Sequence, residues 1–330
     1  MHTRKSFLAL AACGALALLA APASAFAQAY PAKPVKMIVG FTAGGTIDVT
    51  ARIIGQTLQQ KLGQPFIVEN KVGANGMLAA ETVAQAPGDG YTVFVSNSST
   101  ITLNPTLFKS TIRYLPQRDF APVTTVVSVP LVLVVNATDP DTASIKTVAD
   151  LVARAKAAPG VVNYGSAGTG NITHLAFELF SDMAGVKMTH VPYKGAAAAQ
   201  TAIFGKEVAV VFDTLSALPH IKSGRLRAIA VSSARRVAEL PNVPTMQESG
   251  YPGFDVSFWV GIFVPKSTPQ PVIDLLNREI AAAAADPAVA EKLALQGTIL
   301  TQSPAEFAAK IAAETRQLEG VVAKANIKLD

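Results

Sequence analysis

The chain has 330 residues, half of them hydrophobic and only 15% charged, with 28 Lys and Arg against 23 Asp and Glu for a net charge of +5. It is long enough for about two domains with a well-buried core, and its 23 Gly and 21 Pro are too few for a low-complexity or collagen-like chain. So small a net charge, with no block of Lys or Arg, excludes a nucleic-acid-binding footprint.

Arg4 and Lys5 precede an apolar, small-residue run over 7–21, and Ala23-Ser24-Ala25, Ala25-Phe26-Ala27 and Ala27-Gln28-Ala29 each read as cleavage signals. The pattern predicts a secretory signal peptide over 1–29. The run is shorter than the roughly 20 apolar residues that a spanning helix needs. Cys13 sits in a lipobox-like stretch, but the apolar run continues past it where a lipoprotein turns polar. Cleavage after Ala29 removes Arg4, Lys5 and the one Cys, lowering the charge from +5 to +3. A cysteine-free remainder suits an oxidising compartment without depending on it. A soluble, exported, periplasmic protein is expected.

From there short β-branched runs (35–40, 66–69, 92–96, 131–135, 161–164, 208–212, 229–232) alternate with helical patterns, which predicts mainly parallel sheets flanked by helices, an α/β fold. Ile47, Ala51, Ile54, Leu58 and Leu62 form one apolar stripe that Gly63 and Pro65 end. Ile172, Leu175, Leu179 and Met183 repeat it, with Gly185 as the stop. Helices dominate 271–296, and Ser303-Pro304-Ala305-Glu306 is a capping box opening a helix through Phe307, Ile311, Leu318 and Val322. Two strand-like crossings, 122–136 and 255–265, let the chain leave one lobe, build a second and return. The expected division is 30–132 with 255–330 as a discontinuous first lobe, and 133–254 as the second.

In such sheets ligands bind beyond the carboxyl ends of strands, where helix N-termini offer free N–H groups and a positive dipole end to anions. Two glycine-rich turns fall at such places, Phe41-Thr42-Ala43-Gly44-Gly45-Thr46 and Gly165-Ser166-Ala167-Gly168-Thr169-Gly170-Asn171. Asp48 and Asn171 stand near the helix starts, where a short polar side chain can cap. Neither turn contains Lys or Arg, so an anion there would meet N–H groups and the hydroxyls of Thr42, Thr46, Ser166 and Thr169. For either turn alone an ordinary tight βα connection explains the glycines slightly better; two of them on opposite lobes reverse that preference.

Asn97-Ser98-Ser99-Thr100 places four polar side chains at another strand end, as a binding loop or a plain polar one. Lys194, within Tyr193-Lys194-Gly195, is the candidate cation for a carboxylate. Asp213 closes an apolar strand, where it either receives a ligand amine or hydroxyl or caps the next segment. His174 lies three residues into the second helix, in a structural or a ligand role. Phe258 and Trp259 are expected to pack the inter-lobe hinge. Gly168-Thr169-Gly170 lacks the third glycine of a dinucleotide fingerprint, and no turn carries the Gly-Lys-Ser/Thr of a P-loop. The residues around Ser166 miss the first glycine of a nucleophile elbow, and His174, His190 and His220 have no ligand spacing. No metal or other cofactor is expected.

Tyr30-Pro31-Ala32-Lys33-Pro34, Gly44-Gly45-Thr46-Ile47-Asp48 with Ala51-Arg52, Val68 through Gly76, Asp89-Gly90-Tyr91-Thr92, His190 through Gly195 and Phe212-Asp213-Thr214 follow one another in an order that resembles the Bug, or TctC-like, extracytoplasmic solute receptors of tripartite tricarboxylate transporters. The resemblance covers essentially the whole chain after residue 29. It implies a two-lobed periplasmic-binding-protein, or Venus-flytrap, fold and a monomer. Such a receptor captures a small organic carboxylate and delivers it to a permease of two integral membrane subunits, without catalysis. It also implies that the loops at 41–46 and 166–171 hold a ligand carboxylate through backbone and hydroxyl groups. The ligand set is then these two turns with Asp48, Asn97, Ser98, His174, Lys194, Gly195 and Asp213. Gly40-Phe41-Thr42-Ala43-Gly44-Gly45 departs from the family's P-F-x-P-G-G by two prolines, which leaves ligand choice open. The competing classes are an exported hydrolase or transferase, which needs a nucleophile beside a base, and a signalling or scaffold subunit with an empty cleft.

Overall fold

The computed structural model describes residues 30–325, so the signal-peptide reading of 1–29 lies outside the described residues. The chain alternates β1 (Val35–Val39), α1 (Thr46–Leu62), β2 (Phe66–Asn70), α2 (Met77–Ala84) and β3 (Thr92–Asn97), then forms short helices α3 (Asn104–Leu107) and α4 (Pro116–Asp119). The long β4 (Phe120–Pro130) passes through Leu131 directly into β5 (Val132–Asn136). There follow α5 (Val148–Ala157), β6 (Asn163–Ser166), α6 (Ile172–Ala184), β7 (Thr189–Pro192), α7 (Ala196–Phe204), β8 (Val210–Asp213), α8 (Leu218–Lys222) and β9 (Leu226–Val231). The chain returns along β10 (Ser257–Pro265) and ends with α9 (Gln270–Ala284), α10 (Pro287–Ala294), β11 (Thr298–Ile299) and α11 (Pro304–Ala325).

Two sheets result, a six-stranded one ordered β11-β4-β10-β3-β1-β2 and a five-stranded one ordered β7-β6-β8-β5-β9. Each is the centre of one lobe. The sheets are mixed rather than mainly parallel. Parallel pairing joins β1 to β2 and β3, and β6 to β7 and β8, whereas β10, β4 and β11 in one sheet and β5 in the other pair antiparallel. Alternation in a sequence reports which segments are strands, not their direction, and the antiparallel strands include those that carry the chain between lobes.

Local chemistry explains most of the elements. Ile47, Ala51, Ile54 and Leu58 of α1 are buried against the first sheet, and Gly63 ends the helix in a left-handed conformation (φ 73°) that returns its N–H to Gln59. Gly185 ends α6 in the same way. At the start of α11, the Ser303 hydroxyl accepts from the Glu306 N–H and the Glu306 carboxylate from the Ser303 N–H, as the capping box predicts. Leu318 and Val322 of that helix have side chains outside the described residues. The face of α6 differs from the expected stripe: Leu179 and Met183 are over a third exposed, and Phe177 and Phe180 are buried instead. Phe177 lies 4.2 Å from the Tyr164 ring and 4.6 Å from Phe212, so aromatic contact with the sheet sets the helix rotation. β6 likewise begins two residues later than the β-branched run, leaving Val161 exposed.

The two crossings are stitched to each other at one side chain. Ser232, fully buried, accepts from the Leu131 N–H at 2.8 Å and donates to the Val256 carbonyl, while its own N–H donates to Leu131 and its carbonyl accepts from Val256. Trp259 packs into the core beside the six-stranded sheet rather than at an inter-lobe hinge, buried edge-on against Phe307 of α11, with its indole N–H donating to Glu314 at 2.6 Å. Ser232→Ala leaves the buried Leu131 N–H and the partly buried Val256 carbonyl without this partner at the crossing. A loss of about 1–3 kcal/mol is expected in urea unfolding; a loss below about 0.5 kcal/mol would contradict that role.

Candidate functional site

The first glycine-rich turn leaves β1 and enters α1. Asp48, in the first helical turn, is buried and lines neither of the cavities described below. Its carboxylate accepts from the Gly44 N–H (2.9 Å), from Arg52 through two nitrogens (3.0 and 2.9 Å) and from Asn70 (2.9 Å), whose amide also donates to the Phe41 carbonyl. Burial works against its charge, but the hydrogen bonds from Arg52, Gly44 and Asn70 prevail and hold its pKa below the ordinary carboxylate value. The N-cap of α1 is Gly45, with no side-chain cap, so Asp48 shapes the loop from behind.

The second turn leaves β6 and enters α6. Asn171 is the N-cap and accepts from the Thr173 N–H at 3.1 Å, while the Thr173 hydroxyl accepts from the Ala167 N–H. Behind the turn, His174 and His190 stack at 3.8 Å between ring centres with their planes almost parallel, and Tyr164 stacks on His190. The Ser166 hydroxyl lies 2.6 Å from His190 Nε2, and the Gly170 N–H donates to His174 Nδ1. Burial lowers both imidazoles to about 4; for His190 the neighbouring His174 adds to the effect and Glu178 opposes it. This is a support for the loop.

Between the lobes the two sides meet directly. Thr46 Oγ1 donates to Thr214 Oγ1 (2.8 Å), the Asn171 amide donates to Asn75 Oδ1 (2.8 Å), and the Ile172 N–H donates to Ser99 Oγ (3.0 Å). Gly195, at φ 124°, sits where a Cβ would come within 2.8 Å of the Thr42 hydroxyl, so glycine permits this approach. Asn97 to Thr100 are buried rather than a plain polar loop.

Beside these contacts lies an inner cavity of about 30 Å³. Its walls include Phe41, Thr42, Gly45, Thr46 and Asn97 from the first lobe and Ala167, Asn171, Thr173 and Thr214 from the second, with Ala196, Ile47 and Phe258. Three helices present their first residues here: α1 at Gly45 to Ile47, α6 at Asn171 to Thr173, and α7 at Ala196. The N–H groups of a first helical turn have no intrahelical partner and carry the positive end of the dipole. The Thr42 hydroxyl oxygen is buried and has no hydrogen-bond partner among the described residues. None of the side chains lining this cavity is charged.

An outer cavity of about 310 Å³ shares Phe41 and Ala167 with the inner one. Gly168, Thr169 and Lys194 line it, as do Val72 to Met77, Phe108, Pro192 and Tyr193. Ala43, Gly44, Asp48, Ser98, Ser166, Gly170, His174, Gly195 and Asp213 line neither cavity. Thr173, Ala196 and Thr214 were not singled out by sequence; their position in the first turn of a helical segment after a strand is the signal that would have found them. Asp213 is fully buried, accepting from the Thr214 N–H (2.7 Å) and from Gln200 (3.0 Å). Burial pushes its pKa up to about 6 against the hydrogen bonds from Gln200, Thr214 and Ser216. It holds Thr214, which meets Thr46 across the cleft. Among the described residues no group of three His, Cys, Asp or Glu could hold a metal ion, and no helix is long and apolar enough to cross a membrane.

Two sheet-centred lobes joined by crossing strands around an enclosed cleft define the solute-binding class of fold. The chain belongs to the tripartite tricarboxylate transporter receptor family, whose profile matches residues 50–327. It is 40% identical over 317 residues to Protein BugT of Bordetella pertussis, covering 96% of this chain and 95% of that one. Among solved structures it is similar to periplasmic binding protein BugD (34% identity, TM-score 0.84, covering 91% of this chain and 99% of that one). It is also similar to R. palustris Rpa4515 with adipate (33% identity, TM-score 0.86, 91% and 99% covered). The family is one of solute-binding receptors rather than enzymes.

Two variants test the electrostatics. Asp48→Ala removes the acceptor of the Gly44 N–H, of Arg52 and of one Asn70 amide hydrogen, and a loss of about 1–3 kcal/mol in chemical unfolding is expected; an unchanged midpoint would show that the loop does not depend on this carboxylate. For Asp213 the folded pKa is raised, so its stabilising contribution is present below the ordinary carboxylate pKa and is lost as pH rises through about 6. The two histidines act oppositely, stabilising above the ordinary imidazole pKa and losing that contribution as pH falls toward 4. The difference between Asp213→Asn and the parent isolates the first effect: the variant gains on the order of 2–3 kcal/mol relative to the parent between pH 4 and pH 7. A difference that stays flat with pH would contradict it.

Proposed function

We propose that this receptor captures a small organic carboxylate between its lobes, in the periplasm after cleavage of residues 1–29, and hands it to the integral membrane subunits of a tripartite tricarboxylate-type permease. The observation that carries the reading is the inner cavity, where three helix N-termini and the unpartnered Thr42 hydroxyl converge and no charged side chain lines the wall. At roughly 10–15 Å³ per water, about 30 Å³ holds two waters or the two oxygens of one carboxylate. An anion in that place gains hydrogen bonds from both lobes only when they are together, so it stabilises the closed state by its differential affinity. The lobes in this reading are 30–132 with 255–330, and 133–254. The adipate held by the similar R. palustris protein supports a carboxylate ligand.

Hydrolysis or group transfer is the weaker reading. Ser166 and His190 are within hydrogen-bond distance, but neither lines either cavity, Ser166 is fully buried, and the His190 ring is stacked against both Tyr164 and His174. Titration with adipate, followed calorimetrically and by the fluorescence of Trp259, the sole tryptophan, tests the assignment. Thr42→Val is expected to weaken binding about tenfold, the equivalent of one lost hydrogen bond to a charged group. Unchanged affinity in that variant would remove Thr42 from the site.

A further inference from the structure

The outer cavity is about ten times larger than the inner one, and the two share Phe41 and Ala167 as walls. For a ligand whose carboxylate fills the inner cavity, the adjacent space for its remaining atoms is this one of about 310 Å³, the lower end of the roughly 300–1,000 Å³ typical of small-molecule sites.

The side chains around that space have little polar capacity left. The Asn75 amide donates to Asn104 (2.7 Å) and its oxygen accepts from Asn171 (2.8 Å), so both ends are engaged. The Tyr193 hydroxyl donates to Glu207 (2.9 Å). What remains is Thr169 and Lys194, both exposed at the rim, against the apolar walls of Phe41, Val72, Met77, Phe108 and Pro192. A polar or charged ligand body placed here would lose water and find few partners, whereas an apolar body displaces weakly held water at a gain.

We infer that the outer cavity is the specificity subsite and that it takes an uncharged alkyl or aryl body, making the preferred ligand an elongated or aromatic monocarboxylate rather than a compact di- or tricarboxylate. This rests on the receptor reading above and narrows its ligand class.

The test is calorimetric titration of the purified chain with 3-phenylpropanoate, hexanoate, adipate and malate. 3-Phenylpropanoate is expected to bind at least tenfold more tightly than malate. Phe108→Ala is expected to weaken 3-phenylpropanoate at least fivefold and malate less than twofold, with Met77→Ala as a second variant of the same wall. Lys194→Gln is expected to change either acid less than twofold. Malate binding as tightly as 3-phenylpropanoate overturns the inference and leaves the receptor reading intact. So does adipate binding tenfold more tightly than hexanoate with the gap closed by Lys194→Gln, because the body would then carry a second charge held by the lysine. Absence of binding by all four acids overturns the receptor reading and this inference with it.

Discussion

A carboxylate can be held away from water without a counter-ion if enough fixed dipoles point at it, and the cleft of this receptor is arranged around that possibility. The starts of α1, α6 and α7 converge on one small cavity whose lining side chains carry no charge. Each helix end contributes a fractional positive charge that costs nothing to reorganise, and the first amides of α1 and α7 have no intrahelical partner, whereas in α6 the Ile172 and Thr173 N–H groups donate to Ser99 and Asn171. A lysine or arginine in the same place would have to be desolvated in the empty receptor. Dipoles already fixed by helices avoid that cost, and they let the cavity exist without an obligatory occupant.

The rest of the architecture keeps these three helix ends in register. Asp48 ties the first turn to Arg52 and Asn70, and the Ser166–His190–His174 stack supports the second. Asp213 places Thr214 opposite Thr46. Asp48, Ser166, His174 and Asp213 are buried and polar and line neither cavity; they position the backbone of the turns. Ser232 then joins the two crossing segments through hydrogen bonds to Leu131 and Val256. Thr102, in the π-helical turn that also carries Ser99, donates to the same Glu314 that accepts from Trp259, which connects the cleft wall physically to the return crossing.

Features written in local chemistry were legible in the sequence. Gly63 and Gly185 as helix stops, the Ser303–Glu306 box and the two glycine-rich turns all follow from the backbone conformations those residues favour. The two-lobed fold was legible through the family resemblance and the crossings. Strand direction was not, because β10 and β4 have the same β-branched pattern whichever way they run. The rotation of α6 was set by Phe177 meeting Tyr164 and Phe212, a tertiary contact that outweighed the aliphatic spacing of Leu179 and Met183. Within the site, residues that act through side chains, such as Thr42 and Thr46, stood out. Ala196 and Gly73 contribute mainly backbone and carry no compositional mark. Asp48, His174 and Asp213 stood out for the opposite reason: they are polar and near the turns, but their partners lie on the protein side.

The most direct measurement is a crystal structure of the chain grown with saturating adipate. The account predicts one carboxylate inside the inner cavity, within hydrogen-bond distance of the Thr42 hydroxyl and of amides at the start of α1 and α7, with the lobes in contact through Thr46 and Thr214. An acid bound instead through surface lysines or arginines, with the inner cavity left to water, would contradict the claim that helix ends, and not side-chain cations, hold the ligand's charge.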